Sequence, residues 1–401
     1  CDYAIIVTTK LQFFESIFNN KPSKCRKIHN IAESVVIFDE VQSLPKQIIE
    51  PTLTMLNNIK EVMNTSFLFC TATLPAFEKR DNFKGIKSIT PLVDNPAELF
   101  KKTRRVTFHP VNHYEPVDYG VILDIAETSD SAVLVVFNTK KSAKEFFSQT
   151  ERSILWEKRY HLSTAMCPVH RKNTINDIRE DLFNNKKIMV SSTQLIEAGV
   201  DFDFPCVFRE MAPLESIIQA AGRCNRENRM ENYGSVYLFR LADSAMPDKL
   251  YRTSAGFAED MIKENPDSLH NYDLYPEYYK KLISLFVDGD ARKINSAREN
   301  FNFETVSNSY RIIDRATKGL LVYNYNDDSK RHVDFIKSKQ YLSRDDYRKM
   351  QVFIVQVYDS FIFNNRNSIE ETTHGVMIWY GGYDKDTGIS VDPIESDSLV
   401  V

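Results

Sequence analysis

An acidic pair, Asp39-Glu40, directly follows the apolar run 34–38. A carboxylate at the end of a strand can hold Mg²⁺ through water, and its neighbour can polarise an attacking water molecule. A solvated helix start, with acidic residues near the positive end of the helix dipole, explains the same pair without catalysis. The pair alone therefore leaves two interpretations open, a metal-assisted hydrolytic site and a helix start.

A basic cluster lies further along, in the stretch Gln-Ala-Ala-Gly-Arg-Cys-Asn-Arg that spans 219–226. The spacing i, i+4, i+7 predicts that Gln219, Arg223 and Arg226 share one face of a helix. Two arginines beside Gly222, which permits close approach, suit a clamp on the terminal phosphate of a nucleotide. A basic surface helix with ordinary ion pairs is the alternative interpretation.

A third cluster begins with the hydroxyl side chains that follow the apolar run 187–190 and end at Thr193. Gly199 and Asp201 come shortly after it. This order fits a phosphate contact that is coupled to a nucleotide contact. Simple helix capping by the hydroxyl groups explains it equally well.

The apolar pattern predicts the elements that must position these clusters. Uninterrupted apolar runs, separated by helical segments, are typical of buried parallel strands in an α/β sheet. In such sheets ligands bind at the carboxyl ends of the strands, which is where the polar clusters fall. The predicted strands are 34–38, 66–70, 133–137, 187–190, 207–208 and 236–239.

The change of pattern along the chain predicts three parts. A proline-spaced stretch, 91–116, separates the first two strands from the others and indicates a linker. After about residue 245 an amphipathic helix and aromatic strand-like pieces follow, without any catalytic pattern. We therefore expect a first domain at 1–105, a second at 106–245 and a C-terminal accessory domain at 246–401.

The composition limits the class of partner. The 401 residues include 51 Lys and Arg against 55 Asp and Glu, so any nucleic-acid surface must be local. The six cysteines show no CxxC spacing, which favours buried free thiols in a reducing compartment and hence a cytoplasmic location. No apolar run approaches the roughly 20 residues of a membrane span, and no signal peptide is visible, so we expect no membrane partner.

The order of the polar clusters resembles the motif order of superfamily 2 helicases. It runs Asp-Glu-Val-Gln at 39–42, Thr-Ala-Thr at 71–73, Asn-Thr at 138–139, Thr193 with Asp201, and Gln-x-x-Gly-Arg-x-x-Arg at 219–226. Four segments resemble more closely the CRISPR-associated helicase of type I systems, a DExD/H-box helicase–nuclease: 7–16, 19–27, 38–45 and 162–171. The resemblance covers nearly the whole chain and is strongest up to about residue 240.

The resemblance implies both a fold and an activity. The fold would be α/β, with two RecA-like parallel-sheet lobes, the first truncated at its N-terminus, and a mixed α+β C-terminal domain. The activity would be ATP- and Mg²⁺-dependent translocation along single-stranded DNA in antiviral interference. The partner would be the RNA-guided type I surveillance complex (Cascade), and in that family a metal-dependent HD nuclease domain precedes the two lobes.

Carried onto this sequence, the resemblance assigns roles to individual residues. Asp39 would coordinate Mg²⁺, and Glu40 would orient or deprotonate the hydrolytic water. The nucleotide would also contact Gln42, Gly199, Asp201 and Gln219, together with Arg223 and with Arg226 as the arginine finger. Thr71 and Thr73 would contact the DNA strand and would also relay ATP binding to strand movement. The other residues that would contact the DNA strand are Thr8, Gln12, Thr139, His170, Arg171 and Thr193.

The sequence departs from the family at the phosphate-binding loop. The first glycine of the chain is Gly85, after the acidic pair, and neither Gly-Lys-Thr nor Gly-Lys-Ser occurs anywhere. Without that loop the β- and γ-phosphates have no cradle, so we expect negligible ATP hydrolysis by this chain alone. There is also no His-Asp dipeptide, so we expect no nuclease. We read the chain as a fragment whose first lobe exposes sheet edges and is marginally stable alone.

Three other possibilities stay open on the sequence alone. The first is a different superfamily 2 DNA translocase, from repair or restriction. The second is a non-catalytic module that binds single-stranded nucleic acid or a partner, and the third is that the C-terminal domain is chiefly a docking surface for the surveillance complex. DNA binding that ignores nucleotide would favour the second, and binding that responds to an ATP analogue would count against it.

Overall fold

The computed structural model describes residues 3–71, 76–81, 83–197, 199–243, 245–285, 290, 292–312 and 317–390. The helices are α1 Lys10–Ile17, α2 Pro22–Cys25, α3 Ile49–Met63, α4 Pro96–Lys102, α5 Tyr119–Glu127, α6 Lys140–Gln149, α7 Pro168–Phe183, α8 Leu214–Ala221, α9 Lys249–Glu264, α10 Leu274–Ser284, α11 Ile294–Glu299, α12 Phe303–Ser309, α13 Asp327–Ser338, α14 Arg344–Met350 and α15 Asp359–Asn364. The strands are β1 Val35–Phe38, β2 Ser66–Phe69, β3 Val106–Pro110, β4 Pro116–Val117, β5 Val133–Val136, β6 Lys158–Leu162, β7 Ile188–Ser192, β8 Cys206–Glu210, β9 Gly234–Leu241, β10 Thr317–Val322, β11 Ile354–Tyr358, β12 Ile369–Glu371, β13 Met377–Trp379, β14 Tyr383–Asp384 and β15 Gly388–Ile389. None of the helices among these residues has the length and apolar character of a membrane span.

The chain forms two compact units. The first unit contains residues 1–102 and 268–314, and the second contains 103–267 and 315–401. This division differs from the three parts expected from the sequence, because 246–401 is shared between the two units. The reason lies in the cores, since Ile283, Ile294 and Val306 belong to the core of the first unit, whereas the later strands share a core with Ala165 and Cys167 of the second.

In the first unit, β1 and β2 form a parallel pair, with Phe38 opposite Phe69. The buried face of α3 and the ring of Phe14 pack beneath this pair in one core. Side chains from α10 to α12 and the turn after them complete that core. Tyr310, for example, stacks on Phe18 with ring centroids 3.7 Å apart and bonds Thr52 through its hydroxyl at 2.9 Å.

The two strands of the first unit are less buried than the sequence predicts. Val35 and Ile37 are 69% and 62% exposed, and only Phe38 of β1 is buried. The prediction of fully buried strands is therefore wrong here, although the parallel pairing is correct. The exposed side chains of Val35 and Ile37 give this strand pair an apolar face.

The second unit is built on one parallel sheet. Its described strands lie in the order β3-β9-β8-β5-β7-β6, with β4 added against β9. Every residue of β5, β7 and β8 is buried, as expected for strands covered on both faces. The α/β fold with parallel strands is therefore confirmed, and the carboxyl ends of β5, β7 and β8 lie side by side.

The C-terminal residues form a smaller sheet, in the order β11-β10-β13-β12, which shares a core with Ala165 and Cys167 of the second unit. The hairpin β14–β15 lies against the same segment, and Ile389 N–H donates to the Ala165 carbonyl at 3.0 Å. Gly388 has φ +91° and leaves no room for a side chain, because an added Cβ would lie 2.4 Å from that carbonyl oxygen. This close approach joins the hairpin to the segment around Ala165 of the second unit.

Replacing Gly388 with alanine tests the close approach. Gly388→Ala should destabilise the second unit by about 2–5 kcal/mol, since a left-handed backbone costs about 1–2 kcal/mol and overpacking adds about 1–3. Gly375→Ala is the matched control, because Gly375 has φ +73° but open space around its Cβ position. Both tryptophans, Trp156 and Trp379, lie in this unit, so urea unfolding followed by tryptophan fluorescence reports on it alone. If both variants lost the same free energy of unfolding, the close packing of Gly388 against the Ala165 carbonyl would be contradicted.

Candidate nucleotide and strand-binding site

The acidic pair lies at the carboxyl end of β1, in a strained turn. Asp39 is exposed, and its Oδ1 accepts the backbone N–H of Glu40 at 3.0 Å. Glu40 has a left-handed backbone, φ 50°, which is costly for a residue with a side chain and recurs at functional sites. A 3₁₀ turn, Val41–Ser43, follows, and the next α-helix begins only at Ile49. The helix-start interpretation therefore loses its support.

A buried amide joins the ends of β1 and β2. Gln42 is 1% exposed, its Nε2 donates to the Glu40 carboxylate, and its Oε1 accepts the Thr71 hydroxyl at 2.5 Å. The backbone supports the link, because Val41 N–H donates to the Cys70 carbonyl at 3.2 Å. The structure thus brings Glu40, Gln42 and Thr71 together, as the motif order predicts, while Thr73 lies outside the described residues.

Lys10 is a further residue of this cluster, and the motif analysis missed it. Its ammonium donates to the Glu40 carbonyl at 2.8 Å and to the Ser43 hydroxyl. Burial lowers the pKa of Lys10, and the negative charges of Glu40 and Asp39 oppose that shift. Nothing in the sequence marks Lys10, because a lysine at the first position of a helix has no special chemistry until the fold places it beside the acidic turn.

The donor set suits Mg²⁺ better than it suits a triphosphate. Magnesium in nucleotide enzymes is held by one or two carboxylates, phosphate oxygens and water, and Asp39 offers one exposed carboxylate at the strand end. Among the described residues no group of three or more His, Cys, Asp or Glu side chains could hold a metal ion. No glycine precedes Asp39 in the sequence.

Two exposed residues at the start of α1 suit a strand contact. Thr8 donates its hydroxyl to Gln12 Oε1 at 2.8 Å, and both side chains reach solvent. Thr9 caps the helix by accepting the Gln12 backbone N–H at 3.1 Å. The cap fixes Gln12 one turn above Thr8, so the two polar groups lie together on the surface.

In the second unit, the threonines predicted to bind the DNA strand follow two adjacent β-strands. Thr139 follows β5, caps α6 through Ser142 N–H at 3.1 Å, and also bonds the Ser142 hydroxyl. Thr193 follows β7, whose Ser192 lies opposite Val136 of β5. Its hydroxyl is buried and has no hydrogen-bond partner among the described residues. Such an orphaned group at a strand end is consistent with a site that takes an external acceptor.

The arginine motif does not form one helical face, so that prediction is wrong. Helix α8 ends at Ala221 and Gly222 caps it. Beyond this point the backbone pairs with Phe204 instead, since Phe204 N–H donates to the Arg223 carbonyl at 2.8 Å and Asn225 N–H to the Phe204 carbonyl at 2.9 Å. Arg223 and Arg226 therefore lie in a turn, and their side chains diverge.

Arg223 and Arg226 have different partners. Arg223 is buried and donates to the carbonyls of Ile196 and Glu197, at 2.9 and 2.5 Å. Arg226 is one-third exposed and pairs with the exposed carboxylate of Asp201 at 2.8 Å. Gly199 supports this loop with φ +75°, which favours glycine. Gln219, on the last turn of α8, is half-buried.

A buried cation that the motifs do not include joins these loops. Arg209, at the end of β8, is completely buried and donates to Asn138 Oδ1 at 2.8 Å and to the Tyr251 hydroxyl at 3.0 Å. It also pairs with the Glu197 carboxylate at 3.0 Å. Burial raises the pKa of Glu197 to about 7, and the Arg209 charge opposes that rise. A strand-end arginine between two apolar runs is the only sequence signal that could have indicated it.

Removing the Arg209 charge should cost stability. Arg209→Met should lower the free energy of unfolding of the second unit by about 3–5 kcal/mol, because it leaves buried partners unpaired. Tyr251→Phe is the milder variant and should cost about 1–3 kcal/mol, since it removes one hydroxyl that bonds Arg209 and Asn138. Urea unfolding followed by tryptophan fluorescence measures both. Small losses of similar size in both variants would mean that the hydrogen bonds around Arg209 contribute little to the free energy of unfolding.

His170 is buried against other side chains and does not line an open groove for a DNA strand. It is 6% exposed, its Nδ1 lies 2.9 Å from the Tyr383 hydroxyl, and its ring stacks on Tyr325 at 5.0 Å. The same hydroxyl accepts Cys167 N–H at 2.9 Å. Burial lowers the pKa of His170, which favours the neutral ring. The predicted phosphate contact is therefore not supported for His170, whereas the adjacent Arg171 keeps part of its surface exposed.

Replacing His170 with alanine distinguishes a packing role from a DNA-contact role. His170→Ala should destabilise the second unit by about 1–3 kcal/mol through lost hydrogen bonds, yet leave the salt dependence of DNA binding unchanged in the folded chain. Arg171→Ala should instead lower the slope of log affinity against log salt by about 0.7, the value for one phosphate of a single strand. Unfolding and fluorescence anisotropy with oligo(dT) give the two readouts. A changed salt slope in His170→Ala would restore the strand-contact role.

Comparison with known proteins gives a family match in the second unit. Residues 129–229 match the family model of the C-terminal part of the CRISPR-associated nuclease/helicase Cas3. This segment contains Thr139, the loop from Thr193 to Asp201 and the arginine turn.

Curated relatives carry the same description, CRISPR-associated nuclease/helicase Cas3. The protein of Methanothermobacter thermautotrophicus is 26% identical over 329 residues, which is 78% of this chain and 38% of that protein. The protein of Haloferax volcanii is 58% identical over 53 residues, 13% of this chain and 6% of that protein. The chain thus spans well under half the length of these relatives.

Solved structures extend the likeness of fold to nearly the whole chain. The crystal structure of T. fusca Cas3 with ATP matches with a TM-score of 0.65 at 11% identity, over 96% of this chain and 56% of that one. A chain in a CRISPR RNA-guided surveillance complex, described as pre-nicking, matches with a TM-score of 0.58 at 10% identity, over 94% and 59%. Together the three comparisons confirm the family resemblance that the motifs carry, and the parallel-sheet units correspond to RecA-like lobes.

Proposed function

We propose that this chain, which corresponds to the C-terminal helicase part of a Cas3-type protein, moves along single-stranded DNA when it works within the whole protein. ATP with Mg²⁺ would supply the energy, with Asp39 as the metal ligand and Glu40 as the base for the attacking water. The setting would be CRISPR interference in the cytoplasm. The proposal makes the chain part of an enzyme that moves along DNA, and not a module that only binds DNA.

The observation that carries the proposal is the buried Gln42 amide. It touches the carboxylate that would activate water and the hydroxyl that ends the neighbouring strand. A change in the hydrogen bonding of Glu40 during hydrolysis would therefore reach Thr71 through one side chain. A protein that binds DNA without nucleotide has no need of such a link.

The second unit supports the same coupling. Arg223 holds the carbonyls of Ile196 and Glu197, a few residues after the orphaned hydroxyl of Thr193. Any displacement of the arginine turn would thus pull on the loop that follows β7. Strand contact and nucleotide contact would then be properties of one loop.

This chain by itself should hydrolyse ATP negligibly, because no phosphate cradle precedes Asp39. Phosphate release, measured with ATP, Mg²⁺ and oligo(dT), should be the same for the chain and for Glu40→Gln. In a whole protein that also supplies the glycine-rich loop, Glu40→Gln should lower kcat by about 10²- to 10⁴-fold through loss of the general base. Hydrolysis by this chain that Glu40→Gln abolishes would contradict the first expectation.

The rival functions give different outcomes in the same samples. Binding of oligo(dT) that weakens with salt and ignores an ATP analogue, in the whole protein, would favour a non-catalytic strand-binding module. Full DNA-stimulated hydrolysis without any response to an RNA-guided surveillance complex would favour a translocase of repair or restriction. The surveillance complex stays a proposed partner, with the C-terminal domain, 246–401, as its candidate docking region.

A further inference from the structure

A basic segment in the first unit, residues 16–32, has no assigned role. Its 17 residues contain no Asp or Glu, although acidic residues outnumber basic ones in the chain by 55 to 51. It carries Lys21, Lys24, Arg26, Lys27 and His29 within nine positions. Glu15 and Glu33 are the nearest acidic residues on either side along the chain. A local positive field of this kind is what a strand-binding surface needs in a chain of net charge -4.

The positive side chains of the segment reach solvent and are mostly unpaired. All five are exposed. Lys24 alone forms an ion pair among the described residues, with Glu15 at 2.6 Å. Lys21, Arg26 and Lys27 have no hydrogen-bond or ion-pair partner for their side chains in the part of the chain that the structure describes. Three unpaired cations within seven residues repel one another, and an external polyanion would relieve that repulsion.

The segment is held against the strand-binding end of α1. Lys24 reaches Glu15, which lies one turn after Gln12 on the same helix. Asn19 fixes the turn between the helices, because its Oδ1 accepts Lys21 N–H at 2.9 Å and its carbonyl accepts the Cys25 thiol. The cations therefore continue from the surface of Thr8 and Gln12.

The surroundings favour a phosphate backbone over a protein partner. Protein interfaces are built around a buried apolar or aromatic centre. Within 16–32 no large hydrophobic side chain is exposed, whereas the residues just before Thr8 do expose apolar side chains, Val7 among them. The segment itself therefore lacks an apolar centre, and its unpaired cations match the sequence-independent recognition of a nucleic-acid backbone.

We propose that Lys21, Arg26 and Lys27 form a phosphate-binding surface for single-stranded nucleic acid, which extends the track of Thr8 and Gln12. This inference rests on the strand binding proposed above. The surface would bind any sequence, and its contribution would fall steeply with salt because each phosphate contact releases a condensed counterion.

The test is a triple variant, Lys21→Ala, Arg26→Ala and Lys27→Ala, in the full 401-residue chain. Binding of labelled oligo(dT) is measured by anisotropy at about 50 to 200 mM salt. The slope of log affinity against log salt should fall by about 2, which is three contacts at about 0.7 each, and affinity at the lowest salt should fall at least tenfold. Circular dichroism confirms that the variant is folded.

A matched control removes the same charge elsewhere in the first unit. Lys60, Lys79 and Lys84 are exposed and also lack side-chain partners among the described residues, so their triple alanine variant should keep the salt slope. An equal effect in both variants, or none in the first, would overturn the inference while leaving strand binding intact. Failure of the unmodified chain to bind oligo(dT) would instead overturn the proposed function on which the inference rests.

Discussion

The buried charge of Arg209 is the constraint on which the second unit depends. A guanidinium without water must satisfy its donors within the protein, since an unpaired buried charge costs several kcal/mol. The acceptors come from two different strand-end loops, through Asn138 and Glu197, and from α9, through Tyr251. The loops that carry Thr139 and Thr193 are therefore fixed relative to each other by one cation, and a change in any of them is felt by the others.

In the first unit, a neutral group and not a buried charge connects the ends of the strands. Gln42 joins two strand ends through its amide, which costs less to bury than a charge but also fixes less. The strain of Glu40 in a left-handed conformation is sustained by the backbone bond from Val41 to Cys70 and by the Lys10 ammonium. The acidic turn is thus preorganised before any metal or nucleotide arrives.

The sequence predicted the parallel strands and the grouping of Glu40, Gln42 and Thr71, because apolar runs and polar strand ends are local patterns. It could not predict where α8 ends, because pairing of the arginine turn with Phe204 is a contact between distant segments. The burial of His170 depends on Tyr383, more than 200 residues later, and Arg209 has no motif of its own. Long-range packing decided each of these cases.

The contacts of the two arginines indicate which one can serve as the finger. Arg223 would have to give up two buried hydrogen bonds to carbonyls, each worth about 1.5–3 kcal/mol for a charged donor. Arg226 would exchange an ion pair with the exposed Asp201, and such surface pairs contribute about 0–1 kcal/mol. A phosphate is the stronger acceptor for a guanidinium. The smaller cost of release therefore favours Arg226 over Arg223 for the proposed nucleotide contact, while the hydrogen bonds of Arg223 hold the loop that follows β7.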